Sequence, residues 1–123
     1  MDSAADYLRQ HHPDAAELAL WVRGVLLEAA PGLEQRVYQG WQAIGFVHAG
    51  AGYVCGLFPR PTGLLLTFEQ GALLPDPDGS LIGDGRQVRS LPISARDDGT
   101  KSRIVEFLDS AILLGEALRG TAK

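Results

Sequence analysis

The chain has little of what most often betrays a function. It carries one cysteine, Cys55, in 123 residues, so no intramolecular disulfide can form and a reducing compartment is its simplest home. No uninterrupted apolar run reaches membrane-spanning length. The opening Met1-Asp2-Ser3-Ala4-Ala5-Asp6 lacks the basic segment and apolar stretch of a secretory leader. These absences lead us to expect a cytoplasmic protein with no membrane partner. Positive charge is not in surplus either: the net charge is −4, which disfavours nucleic acid and acidic lipid surfaces. Motifs for a phosphate-binding loop, a nucleophile elbow or a zinc-binding helix are missing. Gly50-Ala51-Gly52 with Gly56 is wrongly spaced for a dinucleotide fingerprint and lies between two strand-like runs, so no helix N-terminus is there to receive a pyrophosphate.

What is present is an ordinary globular balance, 46% hydrophobic and 21% charged. A chain of this length is expected to form one domain over residues 1–123, burying roughly two-thirds of its unfolded surface without help from disulfides or metal. Ser3, with Asp6 three residues on, signals a short first helix to about Gln10. Asp14 and Glu17 signal a second, whose Leu18, Trp21, Val22, Val25, Leu26 and Ala29 share a face and which stops at Ala30-Pro31-Gly32. Leu20 and Leu27 fall on its opposite face, suited to another helix or to a second copy of the chain. Leu33 to Gly40 is expected to hold a helical turn leading into a strand. Trp41–Val47, Tyr53–Phe58, Gly63–Glu69 and Gln87–Ser94 read as strands, with Tyr53, Cys55 and Leu57 alternating against Val54, Gly56 and Phe58. The connections at 49–52 and 59–62 are too short for a parallel crossover. Gly71 to Gly85 reads as an extended loop with a helical turn near Ala72. Asp97 to Thr100 caps a last helix whose Ile104, Phe107, Leu108, Ala111, Ile112 and Leu118 share a face. The expected fold is therefore α+β: an antiparallel sheet of four to five strands, with N-terminal helices and a C-terminal helix on one face.

Several residues invite a chemical role, each against a plainer one. Tyr38, Trp41 and Tyr53 can line a ligand pocket or pack as ordinary core with polar tips at the surface. Arg86 and Arg89, near the start of the fourth expected strand, can bind an anion or guard a sheet edge. Cys55, in an apolar run with no local base or cation, reads as an inert buried thiol. Asp76-Pro77-Asp78-Gly79 looks faintly like a calcium loop, but Pro77 interrupts it and no glutamate closes it, so a turn bonded to its own aspartates is favoured. His11, His12 and His48 read as surface histidines.

Four segments, in this order, carry a resemblance: Ala29-Ala30-Pro31-Gly32-Leu33-Glu34, Val37-Tyr38-Gln39-Gly40-Trp41, Gly71-Ala72-Leu73-Leu74-Pro75-Asp76 and Gly85-Arg86-Gln87-Val88-Arg89. Together they resemble the YdhG-like family of small bacterial proteins, some of which are described as frataxin-like intracellular iron chaperones. Where that family has a basic residue and a tryptophan before a glycine, this chain has Tyr38-Gln39-Gly40 with Trp41 after it. Where the family has an arginine–histidine pair, this chain has Arg89-Ser90. The resemblance implies the α+β fold and a non-enzymatic binding module that handles weakly bound iron. Glu69, Asp76, Asp78 and Asp84 are the carboxylates on offer, because hard iron suits oxygen ligands. Two alternatives stay open. One is a small-molecule pocket between helices and sheet, lined by Tyr38, Trp41, Tyr53 and Arg89. The other is a protein-interaction domain, such as a homodimer formed through Leu20 and Leu27.

Overall fold

In the computed structural model, which describes residues 2–121, the first helix is started by Asp2 rather than by Ser3. The Asp2 carboxylate accepts from the Ala5 amide at 3.1 Å and from Arg23 Nη1 at 2.8 Å, so it caps α1 (Ser3–His11) and ties it to α2 (Pro13–Ala29). The second start also sits earlier than Asp14. Pro13 opens α2, because its fixed φ suits the first helical turn and its missing N–H is not needed there. Residue 1 and residues 122–123 of the domain expected over 1–123 lie outside the described range.

Five strands follow: β1 (Glu34–Tyr38), β2 (Ala43–His48), β3 (Gly52–Pro59), β4 (Leu64–Phe68) and β5 (Arg89–Ile93), with α3 (Asp98–Thr121) last. They form one antiparallel meander in the order β1-β2-β3-β4-β5, as the short connections require. The expected helical turn after Leu33 is instead the edge strand β1. Its alternation of Glu34, Arg36 and Tyr38 against Gln35 and Val37 suits a strand, and pairing with β2 from Glu34↔Val47 to Tyr38↔Ala43 supplies its hydrogen bonds. The helical turn comes later, as a 3-10 helix at Gln39–Trp41. The long link between β4 and β5 holds another at Gly71–Leu73, where Ala72 was expected to turn. Further on, Ile82 and Ser90 exchange backbone hydrogen bonds at 2.8 and 2.9 Å. This covers the start of β5, and Pro92 removes a donor beyond it, so little of that edge is left to recruit another strand.

All three helices lie on one face of the sheet. Ile44, Phe46, Cys55, Leu57, Leu64, Leu66 and Phe68 point into the core and are almost completely buried. They meet Leu8, Val22, Leu26, Ile104 and Leu108 from the helices, and Phe68 and Phe107 tilt together at 5.9 Å between ring centres. Fully burying one such side chain contributes about 1.5–3 kcal/mol. The shared face of α3 holds as expected except at Leu118, which is exposed. Asp97 accepts from the Thr100 amide at 2.7 Å and begins that helix. Leu20 and Leu27 are half-buried and packed against the chain's own core, so they present only part of the leucine surface that suggested a dimer. No helix among the described residues is long and apolar enough to cross a membrane.

His12 joins α1 to α2. Its ring lies 5.6 Å from that of Tyr7, and its Nε2 is buried without a hydrogen-bond partner. Burial, with the neighbouring His11 second, pushes its pKa below the ordinary 6.5. The unfolded chain therefore takes up this proton first, so stability is unaffected above the ordinary histidine value and is lost as pH falls through it. Urea titrations at pH 7.5 and 5.5 are expected to show a drop in the unfolding midpoint that is smaller in His12→Gln. An equal drop in both proteins would show that His12 is not the group responsible.

Candidate functional site

The site begins with an irregularity in the β2–β3 pairing. Phe46 faces Cys55, but the next residue, Val47, faces Tyr53. The step is one residue on β2 and two on β3, so Val54 is an extra residue, a β-bulge. Strict alternation would put Tyr53 on the same face as Cys55 and Leu57, and that was the sequence expectation. The bulge instead keeps Val54 and Cys55 buried on the helix side and turns Tyr53 to the opposite, helix-free face, across from Val47.

On that open face, register places Arg36, Gly45, Gly56, Thr67 and Ser90 in one row across the strands. The two glycines are adjacent, and their missing side chains make room for rings from neighbouring positions. A Cβ on Gly45 would run into the Tyr38 ring and come within 2.9 Å of the Tyr53 ring, and one on Gly56 would meet the Tyr53 hydroxyl and, at 3.1 Å, the Phe58 ring. The aromatic rings therefore lie against bare backbone, the close approach that glycine inside a strand permits. Tyr38 stacks on Trp41 at 5.4 Å and 25° and meets Tyr53 edge-on at 6.2 Å. Trp41 reaches this position because the β1–β2 connection turns sharply through Gln42, whose φ of 53° lies in the left-handed region. A non-glycine residue pays roughly 1–2 kcal/mol there. Trp41 is 65% exposed, so core packing is not what holds it in place.

Tyr38, Trp41, Tyr53, Phe58, Thr67, Glu69 and Val88 line a cavity of about 590 Å³. Thr67 Oγ1 and Ser90 Oγ are hydrogen-bonded at 2.8 Å along its floor. Burial chiefly, then the neighbouring Cys55, Glu69 and Tyr38, raises the Tyr53 pKa above its ordinary value, so its phenol keeps its proton and remains a donor. Tyr38, Trp41 and Tyr53, expected to act together, do converge. They lie on the face away from the helices, however, and not between helices and sheet. Phe58, Thr67, Val88 and the glycine pair join them without having been expected to. Gly45 and Gly56, glycines within strand-like runs, were the available signal.

The arginines do not join them. Arg89 Nη1 donates to the carbonyls of Gly85 at 2.6 Å and Val88 at 2.8 Å, closing its own loop rather than awaiting an anion. Arg86 is exposed on that loop and does not line the cavity. The four carboxylates are also separate in role. Glu69 is at the cavity, where it accepts from Gln87 Nε2 at 3.3 Å. Asp76 accepts from the amides of Ser80 at 2.8 Å and Leu81 at 3.0 Å, and so folds its own turn. Asp78 borders a groove with Asp76, Arg103 and Glu106, and Asp84 is exposed on the loop before β5. Among the described residues no group of three or more His, Cys, Asp or Glu side chains is placed to hold a metal ion, so the structure does not gather these four carboxylates into one cluster. His48 Nδ1 accepts from the Gly50 and Ala51 amides at 3.0 and 3.1 Å, which assigns the histidine to the hairpin turn.

Comparison with protein-family models, with curated proteins and with solved structures finds no match to this chain.

Two outcomes test this geometry. Gly45→Ala is expected to cost about 1–3 kcal/mol of stability and to weaken the near-UV circular dichroism of the displaced Tyr38–Trp41 pair. Unchanged stability and spectrum would refute the close ring–backbone contact. Burial pushes the Cys55 thiol up to about 12, so a thiol reagent at neutral pH should label it only after denaturation. Rapid labelling of the native protein would show instead an accessible, activated thiol.

Proposed function

We propose that this protein is a non-enzymatic binding module that takes a small organic ligand on the open face of its sheet. The observation that carries this reading is the cavity walled by the Tyr38, Trp41, Tyr53 and Phe58 rings on that face. It is a concave, largely apolar site with a few polar groups at its edge, the usual make-up of a small-molecule site. Its volume of about 590 Å³ suits a ligand of one or two rings. The exposed Trp41, already stacked on Tyr38, offers its outer face to such a ring. The only cysteine is buried with its pKa raised, so it gives no support to thiol chemistry.

The resemblance to the YdhG-like family suits a binding role as well. Its iron reading finds no carboxylate cluster among the described residues, and we place the ligand at the aromatic cavity on the strength of that cavity's own make-up.

Ligand-observed NMR with a panel of aromatic fragments at millimolar concentration tests the reading. Binding to the wild-type chain is expected to be lost in Trp41→Ala, with far-UV circular dichroism confirming that the exposed substitution leaves the fold intact. If no fragment shows binding that depends on Trp41, the reading is wrong.

A further inference from the structure

We infer that the ligand is a small organic cation, an alkylated ammonium or similar delocalised cation, held over the Tyr38, Trp41 and Tyr53 rings beside the Glu69 carboxylate. This rests on the binding reading above and adds the charge of what is bound.

The argument is electrostatic. Among the residues lining the cavity, Glu69 alone carries a charge, and none is basic. Aromatic rings present negative faces, so a cation placed over them is attracted and an anion is not. The carboxylate adds to that preference. Glu69 is also free to act on a ligand. Its hydrogen-bond partner is the neutral Gln87 amide at 3.3 Å, and the ion pairs of the described residues, Arg9–Glu17, Arg23–Asp2, Arg36–Glu34 and Lys101–Glu28, do not include it.

Two arginines lie close enough to require an account. Arg36 shares the open face and interacts with the Tyr38 hydroxyl at the cavity's edge, but its larger partner is Glu34 at 3.2 Å, which offsets its charge, and its exposure to water screens the remainder. Arg119 lines an adjoining cavity of about 120 Å³ that shares Tyr53 and Glu69 with this one; its Nη1 donates to the Ala49 carbonyl at 3.3 Å instead of to the carboxylate. A net charge of −4 adds a general attraction for cations. An alkylated ammonium fits better than a bare one. It has less need of water or of the many acceptors an ammonium demands, and the walls offer rings and Val88 rather than carbonyl oxygens.

The test compares one ring in three charge states. Benzyltrimethylammonium, benzyl alcohol and benzoate are titrated into the full chain, following the Trp41 indole N–H by NMR. The indole is assigned with Trp41→Phe so that Trp21 is not mistaken for it. The cation is expected to bind about tenfold tighter than the alcohol, with benzoate weakest. Glu69→Gln should reduce the cation-to-alcohol ratio to within about twofold, and added salt should weaken the cation selectively. If the alcohol or benzoate binds as tightly as the cation, or the preference survives Glu69→Gln, the cation inference falls and the binding module stands. If none of the three moves the Trp41 signal, both fall.

Discussion

Burial of the inner face of the meander against α2 and α3 is the constraint on which the rest of this structure depends. The rows Ile44–Leu57–Leu66–Leu91 and Phe46–Cys55–Phe68 run straight across the strands, and their members are all but fully buried. Because side chains alternate, a slip of one residue in any pair would carry an entire row into solvent. The helices thus set register as well as cover. Once register is set, every other residue of the sheet must face the opposite way, and the composition of the open face is decided by what remains.

What remains is unusually poor in bulk at its centre and rich in rings around it. Gly45 and Gly56 meet in register, and the space left by two absent side chains is filled by rings attached elsewhere: Tyr38 at the end of β1, Tyr53 just before the bulged Val54 and Phe58 farther along β3, with Trp41 stacked on Tyr38 from the turn after β1. Glycine weakens a strand, and Gln42 pays for a left-handed turn, so the stability sacrificed here must be recovered in the core on the other face. The outcome is a rigid platform with an aromatic surface, held by backbone that cannot move without disturbing the core beneath it.

The charged groups divide along the same line. Asp2, Asp76, Asp97 and Arg89 are occupied with backbone groups; they start helices and close turns, and their charge serves the fold. Glu69 is different because the alternation of β4 continues into it. Leu66 and Phe68 point inward, so Thr67 and Glu69 point out, toward the rings. Its position is a consequence of the core pattern, and it gives the cavity its sign of charge.

The α+β class, the antiparallel meander and the last helix were legible in the chain itself. Gly- and Pro-bounded apolar runs, hairpin-length connections and the Asp97 cap are local signals, and they act over a few residues. The grouping of Tyr38, Trp41 and Tyr53 was legible too. The edge strand β1 was not, because its hydrogen bonds come from β2 and its own residues are mixed. The separation of Glu69 from the other carboxylates, and the consumption of Arg89 by its loop, depend on where distant backbone lies. Above all, the sequence by itself determined that Tyr53 belongs to a strand, while only the tertiary structure decided which face it occupies. That choice rests on a one-residue mismatch between two paired strands. A bulge is a property of the pairing and cannot be seen in either strand alone.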